Sequence, residues 1–286
     1  MKTDKFPLSY FNQIWTPKRS FKGRHQLNWL QLVIILVFLT SVLMIPVALN
    51  FVKMDSYPID ESYPDTFELI DDTVAAALQK TTIINGTLQM QPESEYKSKN
   101  GIVSIGSSEV QAKQKLKETN ALVFTKNRFY LKNKEVPVSN VQYTKDFDLS
   151  SANSVKEIKD ELSRQWFIQN RGYVMGSLMF LVFSILFVST IFIVFGSAFF
   201  LYLTRKNSFS SIKTYKESMN LVLNALGLPT LVVLISAFVQ FDIVVMLTIQ
   251  SLGLVLMILM VFYQTKFNDK ASLENNKSVF GGKVNG

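Results

Sequence analysis

Four long apolar runs divide this chain. They are Trp29–Val52, Tyr173–Leu203, Leu221–Val239 and Ile243–Tyr263, and none contains Lys, Arg, Asp or Glu. Because about 20 apolar residues are enough for an α-helix to cross a bilayer, each run predicts one transmembrane helix. The predicted fold class is a membrane protein with four transmembrane α-helices and a water-compatible domain, 53–172, inserted between helices 1 and 2.

The segment 53–172 carries the signals of a small α+β domain. A helix is predicted over Thr66–Gln79, and the Lys-rich stretch Glu109–Thr119 predicts another. Asn85-Gly86 lies between two β-branched or apolar stretches and favours a type I′ turn, which predicts a hairpin. A second hairpin is predicted about Lys126-Asn127.

A capping-box pattern, Ser154 followed by Glu157, lies ahead of the second apolar run. Apolar positions after it recur at helical spacing, so we predict one helical path from this domain into the membrane, bent near Gly172. A plain linker helix is the simpler interpretation. The alternative is a stalk that couples the domain mechanically to the helix bundle.

The excess of basic residues lies beside the apolar runs. The formal net charge is +8, yet 53–172 has 16 basic and 17 acidic residues, so the excess belongs to 1–28, the loop 204–220 and the tail 264–286. Because Lys and Arg collect on the cytoplasmic side of membranes, both termini and this loop are predicted to be cytoplasmic, and 53–172 extracytoplasmic. The charge is also expected to attract the lipid bilayer's anionic headgroups, and no nucleic-acid partner is predicted.

The first apolar run is predicted to be retained as a signal anchor, because no small-residue cleavage site precedes Lys53. The predicted location is therefore the cell membrane, with several crossings. The aromatic residues of Phe6–Trp15 and the basic residues after them suit a short helix that lies on the inner leaflet. Candidate contacts with lipid or with a cytoplasmic partner are Trp15, Lys18, Arg19, Arg205 and Lys206.

Polar groups within membrane helices are candidates for functional sites or for hydrogen bonds between helices. We predict that Asn224 and Gln250 hydrogen-bond between the third and fourth helices. Gly172 and Gly176 form a small-xxx-small motif, and they are candidates for close helix–helix contact. No buried ion pair is visible in the apolar runs, which argues against a proton- or ion-coupled transporter.

The residues needed for common catalytic and metal sites are scarce. The chain has no Cys and one His, His25, which excludes thiolate chemistry, multi-histidine metal sites and a Ser-His-Asp triad in 53–172. The stretch 55–72 has seven acidic residues and no base, but it lacks the spacing of a calcium loop. We interpret it as a solvated surface that pairs with the basic stretch 113–134, and binding of a cation there is left open. No catalytic residue, metal ligand or cofactor is predicted.

The layout resembles a family of membrane proteins from Firmicutes. The residues that carry the resemblance are Phe11, Ile14, Pro17, Lys18 and Phe21 before the first run, together with the Asn85-Gly86 hairpin and the three closing helices. Some members of that family bear the name maltodextrin-utilization protein MalA. Tyr215 and Pro229 give the closing helices a more distant likeness to Yip1-type membrane domains.

The resemblance implies a link to maltodextrin uptake by an ATP-driven importer. The chain has no P-loop, so it is not expected to be the ATPase subunit. We predict a non-enzymatic accessory or regulatory subunit of such an ABC importer, in contact with its permease or its binding protein. The alternatives are a stand-alone extracytoplasmic sensor or scaffold, and, less favoured, an oligomeric channel or transporter. Assembly into a homo-oligomer is left open, and an enzyme is disfavoured.

Overall fold

A computed structural model of the chain describes residues 5–89 and 92–270. Residues 1–4 of the predicted N-terminal segment and residues 271–286 of the predicted tail lie outside these ranges. The chain divides into two compact units. The helical unit contains Met1–Val52 and Ser177–Gly286, and the α+β unit contains Lys53–Gly176.

The described residues form nine α-helices and seven strands. The helices are α1 (Leu8–Gln13), α2 (Pro17–Lys22), α3 (Trp29–Val52), α4 (Pro64–Glu68), α5 (Asp72–Gln79), α6 (Glu109–Lys115), α7 (Val155–Leu203), α8 (Tyr215–Val239) and α9 (Ile243–Thr265). The strands are β1 (Ile83–Ile84), β2 (Thr87–Leu88), β3 (Ser94–Ser98), β4 (Gly101–Ile105), β5 (Asn120–Phe124), β6 (Arg128–Asn133) and β7 (Ser139–Gln142).

Four helices, α3, α7, α8 and α9, are long and apolar enough to cross a membrane. This confirms the four predicted spans as helices. Helix α3 has the same bounds as the first apolar run. Helix α7 has 49 residues, or about 74 Å at 1.5 Å per residue, and it continues through Gly172 without interruption.

Helix α8 lies at the centre of the helical unit. The side chains of its first half are buried on every side, and Leu221, Val222, Leu223 and Leu226 are each 0% exposed. Helix α3, helix α9 and the N-terminal segment all pack against it. A helix that is apolar all round requires such an enclosure, and its neighbours provide it.

The α+β unit contains a five-stranded mixed sheet with the strand order β3-β4-β5-β6-β7. Neighbouring strands are antiparallel except β4 and β5, which are parallel, with Ile102 opposite Ala121. Parallel neighbours need a crossover connection, and α6 lies on it. Strands β1 and β2 form a separate two-stranded hairpin.

The central strand β5 is buried on both faces. Leu122 and Phe124 contribute to a large core that also contains Ile158 and Leu162 from the start of α7. On the opposite face, Ala121 and neighbouring apolar residues pack against α6. A strand covered on both sides can be apolar at every position, which explains why β5 lacks the alternation of a half-exposed strand.

Both predicted hairpins are confirmed. At the first, Ile84 pairs with Thr87 across Asn85 and Gly86, whose φ values of 52° and 73° fit the predicted type I′ turn. At the second, β5 and β6 pair antiparallel on either side of Lys126-Asn127.

The single helix predicted over Thr66–Gln79 is wrong, because two helices, α4 and α5, occupy this stretch. Asp71 adopts an extended backbone, and its side chain accepts a hydrogen bond from Val74 N at 2.8 Å. Asp at this position therefore caps a new helix instead of continuing the old one. The helix predicted over Glu109–Thr119 exists but ends at Lys115.

Candidate functional site: a polar junction in the helical unit

A buried polar cluster joins the N-terminal segment to the helix bundle, where α8 begins and α9 ends. We term it the polar junction. Its members are Ser20, Arg24, Glu217, Asn220, Asn224 and Asp269.

Arg24 is the charged centre of the polar junction. Its side chain is only 3% exposed, and its Nη2 donates to Oδ2 of Asp269 at 2.7 Å. Its Nη1 donates to the backbone oxygen of Phe21 at 3.1 Å, and the guanidinium lies 4.0 Å from the centroid of the Phe21 ring. Nε lies 4.0 Å from Oε2 of Glu217. The hydrogen bonds of Nη1 and Nη2 and the ring contact offset part of the desolvation of this buried guanidinium, while Nε has no hydrogen-bond partner among the described residues.

Two asparagines of α8 satisfy backbone groups of the N-terminal segment. Leu27 N donates to Oδ1 of Asn220 at 2.9 Å, and Nδ2 of Asn220 donates back to Leu27 O at 3.3 Å. One turn further along, Nδ2 of Asn224 donates to Ser20 O at 3.2 Å. These bonds fix the path of the chain into α3, since unpaired backbone groups would be costly in this buried place.

The N-terminal segment approaches α8 closely because Gly227 has no side chain. A Cβ there would lie 2.5 Å from Cγ2 of Ile14 and 2.9 Å from the hydroxyl of Tyr10. The Tyr10 hydroxyl donates to Leu223 O at 3.1 Å. Tyr10 and Ile14 are 1% and 3% exposed.

The N-terminal segment also runs alongside the first long helix. The rings of Phe11 and Phe38 are 5.6 Å apart between centroids. Phe38 lies nine residues after Trp29, or about 13 Å along the axis of α3. Helix α1 therefore lies beside the apolar part of α3, and not only at its end.

The short helix predicted within 6–15 exists as α1, a second helix, α2, follows it, and their contact with the membrane surface stays a prediction. Side chains of both helices, such as Tyr10 and Phe21, pack against the helix bundle. The apolar residues were expected to face lipid, but α8 needs them to complete its own burial. Trp15 does face outward, at 54% exposed.

The basic residues proposed as lipid or partner contacts stay near the surface. Lys18 is partly buried and Arg19 is exposed. Arg205 and Lys206 lie in a 3-10 turn after α7 and are also exposed, with the Arg205 guanidinium 4.0 Å from the centroid of the Tyr202 ring. Their contact with lipid or with a partner stays a prediction.

The predicted helix contacts have different outcomes in the structure. Nε2 of Gln250 on α9 donates to the hydroxyl of Thr230 on α8 at 3.3 Å, as expected for a bond between these helices. Asn224 instead bonds to Ser20 of α2. A Cβ at Gly172 or at Gly176 would have no described atom within 4 Å, so neither glycine forms a tight helix contact within the described chain.

A second polar cluster lies at the edge of the sheet in the α+β unit. Nζ of Lys115 donates to Oγ of Ser104 at 2.7 Å and also bonds to Glu93 and Glu95. Oγ of Ser104 is in turn 2.7 Å from Oγ of Ser107.

A serine beside a lysine is the arrangement of Ser-Lys hydrolases, in which a neutral amine activates the hydroxyl. Burial lowers the pKa of Lys115, but the hydrogen bonds that its amine donates to Glu93 and Glu95 outweigh this effect and leave that pKa raised. The pKa values of both carboxyls are lowered, first of all by their bonds to Lys115. Lys115 is thus a poor base, and since Ser104 is 0% exposed, this cluster acts as a structural ion-pair network.

The acidic stretch 55–72 does not converge on a point. Among the described residues, no group of three or more His, Cys, Asp or Glu side chains has the arrangement of a metal site. Oδ2 of Asp65 lies 2.9 Å from Nζ of Lys134, which links the acidic stretch to the basic stretch 113–134 as predicted. Hydrogen bonding to Lys134 also lowers the pKa of Asp65.

Sequence reasoning missed the roles of Arg24 and Lys115. Arg24 was counted only as one of several bases on the cytoplasmic side, and Lys115 as one base in a solvated patch. Neither has a distinguishing neighbour in the sequence, because their partners Asp269 and Glu93 lie 245 and 22 positions away.

Four candidate membrane-spanning helices and a separate α+β unit define a multi-pass membrane protein. The family described as "Protein of unknown function (DUF1189)" matches residues 19–265, and the chain belongs to this family.

Two relatives bear names that refer to a process. Maltodextrose utilization protein MalA of Streptococcus pneumoniae is 31% identical over 268 residues, which cover 92% of this chain and 97% of the relative. YvdJ of Bacillus subtilis, provisionally named a maltodextrin utilization protein, is 28% identical over 259 residues, which cover 84% of this chain and 83% of the relative. The resemblance to proteins named MalA is thus confirmed. No solved structure matches the chain.

Proposed function

We propose that this chain is a non-enzymatic membrane protein that takes part in maltodextrin uptake as an accessory or regulatory subunit of an ABC importer. The observation that carries the proposal is the similarity to MalA along nearly the whole of both chains. The match covers the long helices as well as the α+β unit. We therefore base the proposal on the role of the complete relative and not on that of one of its domains.

An accessory role agrees with the packing of the helical unit. The space between its long helices is filled by apolar side chains, among them Leu43, Leu186, Val233 and Met246, which are at most 1% exposed. A packed interior of this kind leaves no polar path along these residues, which favours a companion of a transporter over a monomeric pore.

The outward surfaces of α7 and α9 suit contact with another membrane protein. Only 22% of the most apolar stretch of each helix is buried within the chain, against 50% for α3 and 56% for α8. Large side chains such as Phe180 and Phe192, each 74% exposed, project from α7. We propose that the importer permease packs against this face.

We further propose that the α+β unit is extracytoplasmic and that both termini are cytoplasmic. The support is the distribution of charge, since the excess of basic residues flanks the long helices while 53–172 is nearly neutral. On that side of the membrane, the unit could contact the binding protein that delivers sugar to the importer.

A sensor is the second candidate, and one observation favours it. Helix α7 supplies core residues of the α+β unit, Ile158 and Leu162, and continues to Leu203 through a stretch apolar enough to cross a membrane. A ligand that altered the α+β unit would thereby act on a helix that also belongs to the membrane-spanning part.

The test is purification of the tagged full chain in mild detergent from its native cell grown on maltodextrin. A photo-crosslinking residue replaces Phe192, and in a matched control it replaces Leu186 on the same helix, which is 0% exposed. We expect importer subunits to be recovered and crosslinked from position 192 only. A chain recovered alone, or crosslinked only to itself, would overturn the accessory role and leave the sensor for a test of maltodextrin binding.

A further inference from the structure

A cavity of about 540 Å³ opens at the end of the helical unit where α7 and α9 stop. The loop after α7 and the residues that follow α9 form its walls. Phe209, Phe262 and Phe267 provide an apolar side, and Thr204, Asn207 and Ser210 provide hydroxyl and amide groups. The lining is therefore amphipathic.

Two bases complete the lining. Lys266 and Lys270 both border the cavity, both are exposed, and none of the described residues that line it is acidic. The nearest acid in sequence, Asp269, has its Oδ2 bonded to Arg24 at 2.7 Å. The cavity therefore has a positive potential that no lining carboxylate cancels.

The backbone after α9 places these groups. Lys266 and Phe267 are successive residues with positive φ, 50° and 51°, which is uncommon for residues other than glycine. The resulting reversal buries Phe267 to 7% exposed, and Nζ of Lys266 lies 5.0 Å from the centroid of the Phe262 ring. One base is thus held beside the aromatic side of the cavity.

From the ends of the apolar runs, we infer that the cavity lies at the level where lipid headgroups begin. The apolar runs end at Leu203 and Tyr263, and the lining residues follow directly after each of them, apart from Phe262 in the last turn of α9. Beyond the hydrocarbon core lies the layer of phosphates and glycerol. A ligand in this position meets apolar side chains on one side and bases on the other.

We propose that this cavity binds the phosphate-bearing headgroup of an anionic glycerophospholipid. The lysines would pair with the phosphate, the hydroxyl and amide groups would bond to the glycerol headgroup, and the phenyl rings would contact the start of the acyl chains. Basic pockets between membrane helices bind anionic headgroups for this reason. The volume also lies in the range of small-ligand sites. The inference is independent of the proposed role in maltodextrin uptake.

The test uses the purified full chain, stripped of lipid in detergent and incubated with phosphatidylglycerol or phosphatidylcholine. Bound lipid is counted by native mass spectrometry. We expect one retained phosphatidylglycerol per chain, and a decrease in affinity of roughly 30-fold in the double variant Lys266→Gln/Lys270→Gln, since each lysine contributes roughly fivefold. The control Lys113→Gln/Lys117→Gln removes the same charge from exposed positions of the α+β unit and should retain the lipid.

Three outcomes would overturn the proposal. One is equal retention of phosphatidylcholine, and another is a double variant that binds phosphatidylglycerol as the unmodified chain does. The third outcome is tested by adding inorganic phosphate or glycerol 3-phosphate. If either soluble phosphate compound binds alone and displaces the lipid at equal concentration, the ligand is a free phosphate compound and not a lipid.

Discussion

At the scale of single residues, a buried guanidinium connects three distant parts of the chain. Arg24 pairs with Asp269, which follows α9, and lies near Glu217 in the first turn of α8. Glu217 is itself only 13% exposed, so the contact between Arg24 and Glu217 is largely shielded from water. Removal of Arg24 would leave the negative charges of Asp269 and Glu217 without this partner. Breaking a buried ion pair in this way commonly destabilises a protein.

We therefore expect Arg24→Ala to lower the free energy of unfolding by about 3 kcal/mol, the lower end for a broken buried pair, because Asp269 can be solvated. The measurement is unfolding of the full chain in mixed micelles by titration with dodecyl sulfate. Arg19→Ala, at an exposed position, should change the value by less than about 0.5 kcal/mol. Equal losses in the two variants would contradict the role assigned to Arg24.

Lys115 gives a second prediction, which concerns pH. Glu93 and Glu95 have pKa values below their ordinary 4.5 in the folded protein. A carboxyl of this kind stabilises the fold above its unfolded pKa, and the contribution is lost as the pH falls through the folded pKa. The melting temperature of the α+β unit should thus fall as the pH drops below about 4.5.

In Lys115→Met this acid-side fall should become smaller, because the amine that lowers both pKa values is gone. The stability at pH 7 should also be lower than in the unmodified chain. Trp166, which hydrogen-bonds to Ser139 within the α+β unit, provides the fluorescence signal. Lys113→Met on the same helix, an exposed base, is the control. An unchanged acid profile in Lys115→Met would refute the network.

At the scale of elements, α8 and the N-terminal segment depend on each other for burial. Gly227 is the point of closest approach, with Ile14 and Tyr10 in the space that a Cβ would occupy. Gly196 on α7 is a matched position in a long helix, but a Cβ there would have no described atom within 4 Å. The same substitution at the two glycines therefore distinguishes the effect of close packing from that of helix propensity.

We expect Gly227→Val to release the N-terminal segment and to cost about 1–3 kcal/mol of stability, as overpacking does, while Gly196→Val leaves both unchanged. Because the chain has no cysteine, a single Ser20→Cys reports the release. Ser20 is 0% exposed, so a maleimide should label it slowly in the parent chain and faster in Gly227→Val. Equal labelling in both glycine variants would show that the segment is not held there.

The elements also reveal what the sequence can predict. The four long helices and both hairpins followed from charge-free runs and from turn residues such as Asn85-Gly86, which act locally. The break between α4 and α5 was missed because Asp71 fits a helix surface as well as a cap. The placement of α1 and α2 was missed because amphipathic helices that face lipid and those that face protein have the same pattern. The polar junction could not be predicted from the sequence, since only tertiary packing brings its members together.

At the scale of the whole molecule, the orientation in the membrane decides which partners each part can reach. Single cysteines test it directly. Lys99→Cys lies in the exposed hairpin between β3 and β4, and Lys206→Cys lies in the exposed loop after α7. In intact cells, a membrane-impermeant maleimide should label position 99 and not position 206, and permeabilised cells should show both. The reverse pattern would place the α+β unit in the cytoplasm and contradict the proposed contact with a sugar-binding protein.

We propose that the chain serves maltodextrin uptake without performing chemistry itself. The most direct measurement is the initial rate at which cells lacking the gene take up labelled maltodextrin, with labelled glucose as the control sugar. We expect the deletion to reduce the rate for maltodextrin but not for glucose. The unmodified chain should restore the rate, and so should Ser104→Ala, which removes the hydroxyl beside Lys115. An unchanged maltodextrin rate in the deletion would contradict the role in uptake, and loss of rescue in a stably folded Ser104→Ala would contradict the absence of chemistry.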